Sequence, residues 1–155
     1  MKMLLRWLLT LVALLALLLA GPVWLLASNQ VNTDGHWSSL DRSSAGIAPS
    51  PAAYSEAVVQ VYSARAYNWR GAFGEHIWIA TKAEGADSYR LHQVLSWRRP
   101  TVVSSIDTPD RAWFGSPPTL LADYRGNAAA QLIPDIETAA ANYPQADLYR
   151  VWPGP

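Results

Sequence analysis

Residues 7–27 form an almost unbroken apolar run, interrupted only by Thr10 and the Gly21-Pro22 pair. No other feature constrains the chain as strongly. About 20 consecutive apolar residues match the hydrocarbon thickness of a bilayer when coiled as one helix. A run with no polar face does not suit the amphipathic helix of a soluble domain. Lys2 and Arg6 precede the run, and the next basic residue is Arg42. That asymmetry predicts a single span with its N-terminus in the cytoplasm and the rest of the chain outside. A cleaved signal peptide is the competing reading. Against it, the run is long, and Leu25-Leu26-Ala27 puts a leucine where the cleavage site wants a small residue. Trp7 and Trp24 lie near the two ends, where interfacial aromatics belong.

The remaining residues have room for one domain. Setting Lys2 and Arg6 aside with the anchor leaves 10 basic and 12 acidic residues, so nothing suggests electrostatic capture of nucleic acid. There is no cysteine, which excludes disulfides, thiolate metal sites and a cysteine nucleophile within these residues. Residues 28–55 are polar, rich in Ser, Asn, Ala and Pro, and lack a helical or strand period. They read as an extended tether leading to a globular domain over 56–155. His36-Trp37 inside the tether reads as a surface aromatic that docks on that domain.

The domain reads as α+β. Residues 57–66 carry β-branched and aromatic side chains on both faces, as a central strand does. A loop with Gly71 and Gly74 leads to a second strand over 75–82, with His76, Trp78 and Ala80 on one side and Ile77 and Ile79 on the other. A loop containing Gly85 leads to a third strand over 88–97. A hairpin centred on Gly85 would set Trp78 opposite His92, making His76 and His92 diagonal neighbours on one face. Residues 98–110 are either loop-like or hold a short strand over 101–106. Residues 119–125 fit either strand or helix. Residues 127–143 read as a helix, with Leu132, Ile133, Ile136, Ala139, Ala140 and Tyr143 on one stripe and Pro134 starting or kinking it. A last strand is expected over 148–152. The architecture is therefore a transmembrane helix followed by a small, mostly antiparallel sheet with one packed helix.

Several segments combine into a recognisable pattern. They are Val58-Val59-Gln60-Val61-Tyr62 with Ala64-Arg65, Trp69-Arg70-Gly71, His76-Ile77-Trp78-Ile79-Ala80, Trp113-Phe114-Gly115, and Tyr149-Arg150-Val151-Trp152-Pro153-Gly154-Pro155. In this order and spacing the chain resembles a bacterial family catalogued as domain of unknown function 3750. The resemblance implies a bacterial inner-membrane protein with its domain on the periplasmic side, and carries no activity with it. It also implies that members continue past Pro-Gly-Pro, so that this chain, stopping at Pro155, is expected to be a truncated member.

His76 is the candidate catalytic residue. It begins a strand after a glycine-hinged loop and next to Glu75, where a histidine can serve as general base. The His-x-Trp-Ile strand followed by a hairpin is also similar to the first half of circularly permuted papain-like (NlpC/P60-like) hydrolases. That likeness implies His76 as base, His92 or Gln93 as the group that orients it, and a nucleophile beyond Pro155. Against it stands the plain alternative of a half-buried strand histidine. Arg70 and Trp78 are candidate ligand-binding residues. The Arg70 fork suits a carboxylate or phosphate, although pairing with Glu75 or Asp123 is the simpler expectation. Trp69, Trp78, Trp97, Trp113 and Trp152 read chiefly as core, with a stacking groove as the functional alternative. A His76/His92 metal pair lacks a third ligand, since neither Glu75 nor Asp123 is placed for it. No cofactor motif is present. Two functions stay open. One is an envelope hydrolase acting on peptide, amide or ester bonds. The other is a non-catalytic protein that binds a cell-wall or envelope component.

Overall fold

A computed structural model describes residues 2–144 and 147–149 of the chain. The apolar run is one helix, α1, over Lys2–Ala27, with none of its residues buried. It is long and apolar enough to cross a membrane. Pro22 and Leu25 near its C-terminal end are half-buried, so the helix projects from the domain and touches it only near that end. There α1 lies against a 3₁₀ turn, Asn68–Ala72. Val31, just past the helix, is buried against Gly71 of that turn. A Cβ on Gly71 would sit 2.5 Å from the Ala66 carbonyl oxygen and 3.0 Å from Val31. Only glycine allows the approach.

Among the described residues the domain forms a five-stranded antiparallel sheet in the order β4-β3-β2-β1-β5. Its strands are β1 (Val58–Arg65), β2 (Glu75–Lys82), β3 (Arg90–Val94), β4 (Val102–Ile106) and β5 (Thr119–Arg125). β1 is an interior strand, between β2 and β5, as its two apolar faces require, and carries a bulge against β5 at Val61/Tyr62. Residues 119–125, ambiguous by periodicity, are a strand because they pair with β1. The helix α2, Gly126–Ala141, includes Pro134 in its interior. Ala129, Leu132, Ile133 and Ile136 pack it on Ala57, Val59 and Ile79. The strand expected over 148–152 falls mostly outside the described residues.

The other face holds the larger core: Val58, Tyr62, Ala64, Trp78, Ala80, Tyr89, Leu91, Leu95 and Trp113. No helix covers it. Residues 31–54 and 107–118 cross it instead as straps. Asp110, 1 % exposed, ties the two together. Its carboxylate accepts hydrogen bonds from the Ser44 hydroxyl and from the backbone N–H groups of Ile47 and Ala48. Ile47, Ala48 and Tyr54 then pack on the core. Residues 28–55 thus lie partly on the sheet, without a helix or ladder of their own.

The hairpin register differs from the expected one. Trp78 pairs with Gln93, and His92 with Ile79. The loop between β2 and β3 is one residue longer than a Gly85-centred turn implies. The reason is burial: this register places Tyr89 and Leu91 on the face of Tyr62 and Trp78, where both are about fully buried. A one-residue slip would turn them toward the α2 side. His76 and His92 therefore lie on opposite faces, and the diagonal relation between them does not exist.

Candidate functional site

The antiparallel order fixes what gathers at each end of the sheet. The 3₁₀ turn joins β1 to β2 and the turn over 95–101 joins β3 to β4, so both stand at one end. The β2–β3 loop and the start of α2 stand at the other. His76 begins β2 at the first of these ends, on the strap-covered face. Its ring stacks on Trp113 with centroids 3.6 Å apart and planes 14° apart, and lies 5.7 Å from Trp78. Its Nε2 is 3.0 Å from the Gln93 side-chain oxygen, which makes Nε2–H the donor and leaves Nδ1 the lone pair. Burial pulls its pKa down to about 4, against the Gln93 hydrogen bond and with help from the Arg111 charge. His76 is neutral at pH 7 and a weak base.

His92 belongs to the α2 face and is 6 % exposed. Its Nε2 meets the Thr81 hydroxyl at 3.1 Å and its Nδ1 the Ser104 hydroxyl at 2.9 Å. Burial lowers its pKa as well. With both nitrogens engaged across the sheet, it does not orient His76; Gln93 does. Among the described residues no three His, Asp or Glu side chains gather as a metal site would require.

Trp78, 2 % exposed, stacks on Tyr62 and donates its indole N–H to the Pro109 carbonyl at 2.7 Å. A ligand cannot reach it, so it supports the site from below. Arg70 is exposed, with its guanidinium 5.1 Å from the Trp69 ring. The pairing expected for it goes to other arginines. Glu75 pairs with Arg65 at 3.7 Å and Asp123 with Arg125 at 2.7 Å. The five tryptophans divide accordingly. Trp78 and Trp113 are core, Trp69 and Trp97 are 55 % and 62 % exposed, and Trp152 lies outside the described residues.

Beside His76 an open cleft of about 510 Å³ is lined by Trp37, Leu95, Trp97, Ala112, Trp113 and Phe114, with Arg42, Arg98 and Arg111 among them. The volume suits a small ligand or headgroup. Trp113 is its floor, with Trp97 at 6.3 Å and Phe114 edge-on at 4.8 Å. Arg42 sits 4.6 Å over the Phe114 ring and donates to the Trp37 carbonyl. Arg111 pairs with Asp107. Among the described residues no carboxylate pairs with Arg42 or Arg98. Such a wall offers ring faces and guanidinium donors, the chemistry that receives an anion attached to a flat or apolar body. Sequence reasoning reached Trp97 and Trp113 but missed Arg42, Arg111 and Phe114. Residues 111–114 read Arg-Ala-Trp-Phe, a local hint, but only the folded straps bring them beside Arg42 and Trp37.

Comparison with protein-family models matches residues 56–155 to the family described as Protein of unknown function (DUF3750). Comparison with curated proteins and with solved structures finds no match.

Proposed function

The chain belongs to the DUF3750 family, and from that premise we propose that it is a single-span, membrane-anchored binding module rather than an enzyme. α1 crosses the bacterial inner membrane with Lys2 and Arg6 inside, and the domain stands on the periplasmic side. The cleft takes an anionic envelope component that also carries a ring or apolar body. One observation carries this reading: Arg98 and Arg42, without carboxylate partners among the described residues, line the cleft beside the exposed Trp97 and the Trp113 floor. Guanidinium groups that carry no carboxylate partner among the described residues, set next to exposed rings, suit an incoming anion.

The test is a tryptophan-fluorescence titration of the full chain in neutral detergent. Two probes are used, a short-chain phosphatidylglycerol and a muramic-acid-containing wall fragment. The reading expects a saturable change with at least one of them. Trp97→Ala or Arg98→Ala weakens it about tenfold, in line with one lost stacking or charge-assisted contact. Absence of response to both, or unchanged binding by the variants, overturns it.

The hydrolase reading has one observation in its favour: the His76 ring is held through Gln93 with its Nδ1 unbonded among the described residues. A pKa near 4 makes that nitrogen a poor general base at neutral pH. Among the described residues no Ser or Thr hydroxyl bonds to it. Turnover of an ester or wall-peptide substrate that vanishes in His76→Ala would replace the binding reading with this one.

A further inference from the structure

The two ends of the sheet carry opposite chemistry, and α1 is attached to only one of them. At the end bearing the 3₁₀ turn and the 95–101 turn, Trp69, Phe73 and Trp97 are 55 %, 61 % and 62 % exposed. Arg70, Arg98 and Arg99 are exposed beside them. Among the described residues none of these arginines forms an ion pair; Arg99 donates only to the backbone carbonyls of Ser96 and Arg98. Glu75, the acid nearest in sequence to the 3₁₀ turn, is engaged by Arg65. At the other end Glu84 and Asp87 are exposed, and Arg90 and Arg125 are paired with Glu137 and Asp123.

The C-terminal end of α1 lies on the 3₁₀ turn, and Val31 is locked against Gly71. Trp24, exposed near that end of α1, belongs to the same zone. A helix that crosses a bilayer therefore delivers this end of the sheet, and not the acidic one, to the membrane surface. Exposed Trp and Phe with arginines are what a headgroup layer accommodates: rings at the interface, guanidinium groups on phosphates.

We propose that the ligand of the cleft is an anionic phospholipid of the bilayer that α1 crosses, and that the arginine-bearing end of the sheet rests on its headgroups. The inference rests on the anchored binding module proposed above. Arg98 and Trp97 belong at once to the cleft wall and to this surface, so a phosphate held by Arg98 is in reach of a lipid whose chains stay in the bilayer. Trp69 and Phe73, packed edge to face at 6.1 Å, form the second point of support.

The absence of cysteine gives a direct test. Single cysteines at Leu14, Phe73 and Glu84 of the full chain are nitroxide-labelled. The chain is reconstituted in phosphatidylcholine vesicles with and without phosphatidylglycerol, and depth is read from collision with oxygen against a water-soluble nickel chelate. The expected result is a deep label at Leu14, a headgroup-level label at Phe73 that moves further from water with phosphatidylglycerol, and an aqueous label at Glu84. Trp69→Cys repeats the Phe73 reading should that substitution disturb the fold. Arg70→Ala combined with Arg98→Ala abolishes the phosphatidylglycerol response, the two charges together being worth a tenfold or greater preference. An aqueous Phe73 or Trp69 label with a deep Leu14 label overturns the inference and leaves the anchor standing. A cleft that binds the wall fragment but ignores phosphatidylglycerol overturns it and leaves the binding module standing. An aqueous Leu14 label overturns anchor and inference together.

Discussion

The two ends of one small sheet show how the same residue types can be used for closure or for contact. At the end away from α1, basic side chains are engaged within the molecule and the exposed charges are acidic, Glu84 and Asp87. Lys82, 1 % exposed, donates to the Glu56 carbonyl at 2.8 Å, and Arg125 is held by Asp123. At the α1 end, Arg70 and Arg98 face no carboxylate among the described residues, and three large rings face outward. The difference teaches that arginines and aromatics here are not uniformly structural. The arginines that face no carboxylate among the described residues, with Trp69, Phe73 and Trp97, gather where the anchor attaches and where the cleft opens.

The comparison can be broken most severely at Trp113, which is both core and cleft floor. Trp113→Ala removes the ring that His76, Trp97 and Phe114 stack on. It is expected to cost about 3–5 kcal/mol of stability, read as a lower urea midpoint of the full chain in neutral detergent. A loss under about 1 kcal/mol would mean that the straps hold themselves without this floor.

His76 gives the next effect, through pH. Its folded pKa of about 4 lies below the ordinary histidine value, so the unfolded chain binds the extra proton first. Its contribution is complete above about pH 6.5 and is lost as pH falls toward 4, by about 3 kcal/mol in all. His76→Gln removes that part of the slope. The check is the difference between the two urea midpoints at pH 7 and at pH 5. A difference that does not change with pH would show that the histidine is not held neutral.

The smallest effect belongs to the acidic end. Asp123→Asn breaks a partly exposed ion pair and is expected to cost below about 1 kcal/mol, without any change in ligand binding. A large binding defect there would erase the distinction between the ends.

Much of the scaffold was legible in the sequence because it rests on local patterns. β2 matches the alternation of residues 75–82, and α2 follows the stripe of Leu132, Ile133 and Ile136. The register of His92 was not legible. A glycine-centred turn and a longer loop are both compatible with residues 83–89, and the choice is made by Tyr89 and Leu91 finding Trp78 and Tyr62 across the fold. The pairing of Arg70 was misjudged for a similar reason. Glu75 lies nearer to it in sequence, but the antiparallel ladder puts Arg65 directly across from Glu75. The cleft was half legible: Trp97 and Trp113 stood out as aromatics, whereas Arg42 and Phe114 meet because the two straps are joined, by the Asp110 carboxylate and by backbone bonds from Ala112 to Ser43 and from Gly115 to Asp41.

The distinction between the ends is tested most directly by one pair of matched substitutions. The full chain in neutral detergent is titrated with short-chain phosphatidylglycerol, following tryptophan fluorescence. Arg98→Ala, at the α1 end, is compared with Arg90→Ala, at the other. The account predicts saturable binding by the unchanged chain, about tenfold weaker binding by Arg98→Ala, and no change with Arg90→Ala. Equal affinity in both variants would contradict it.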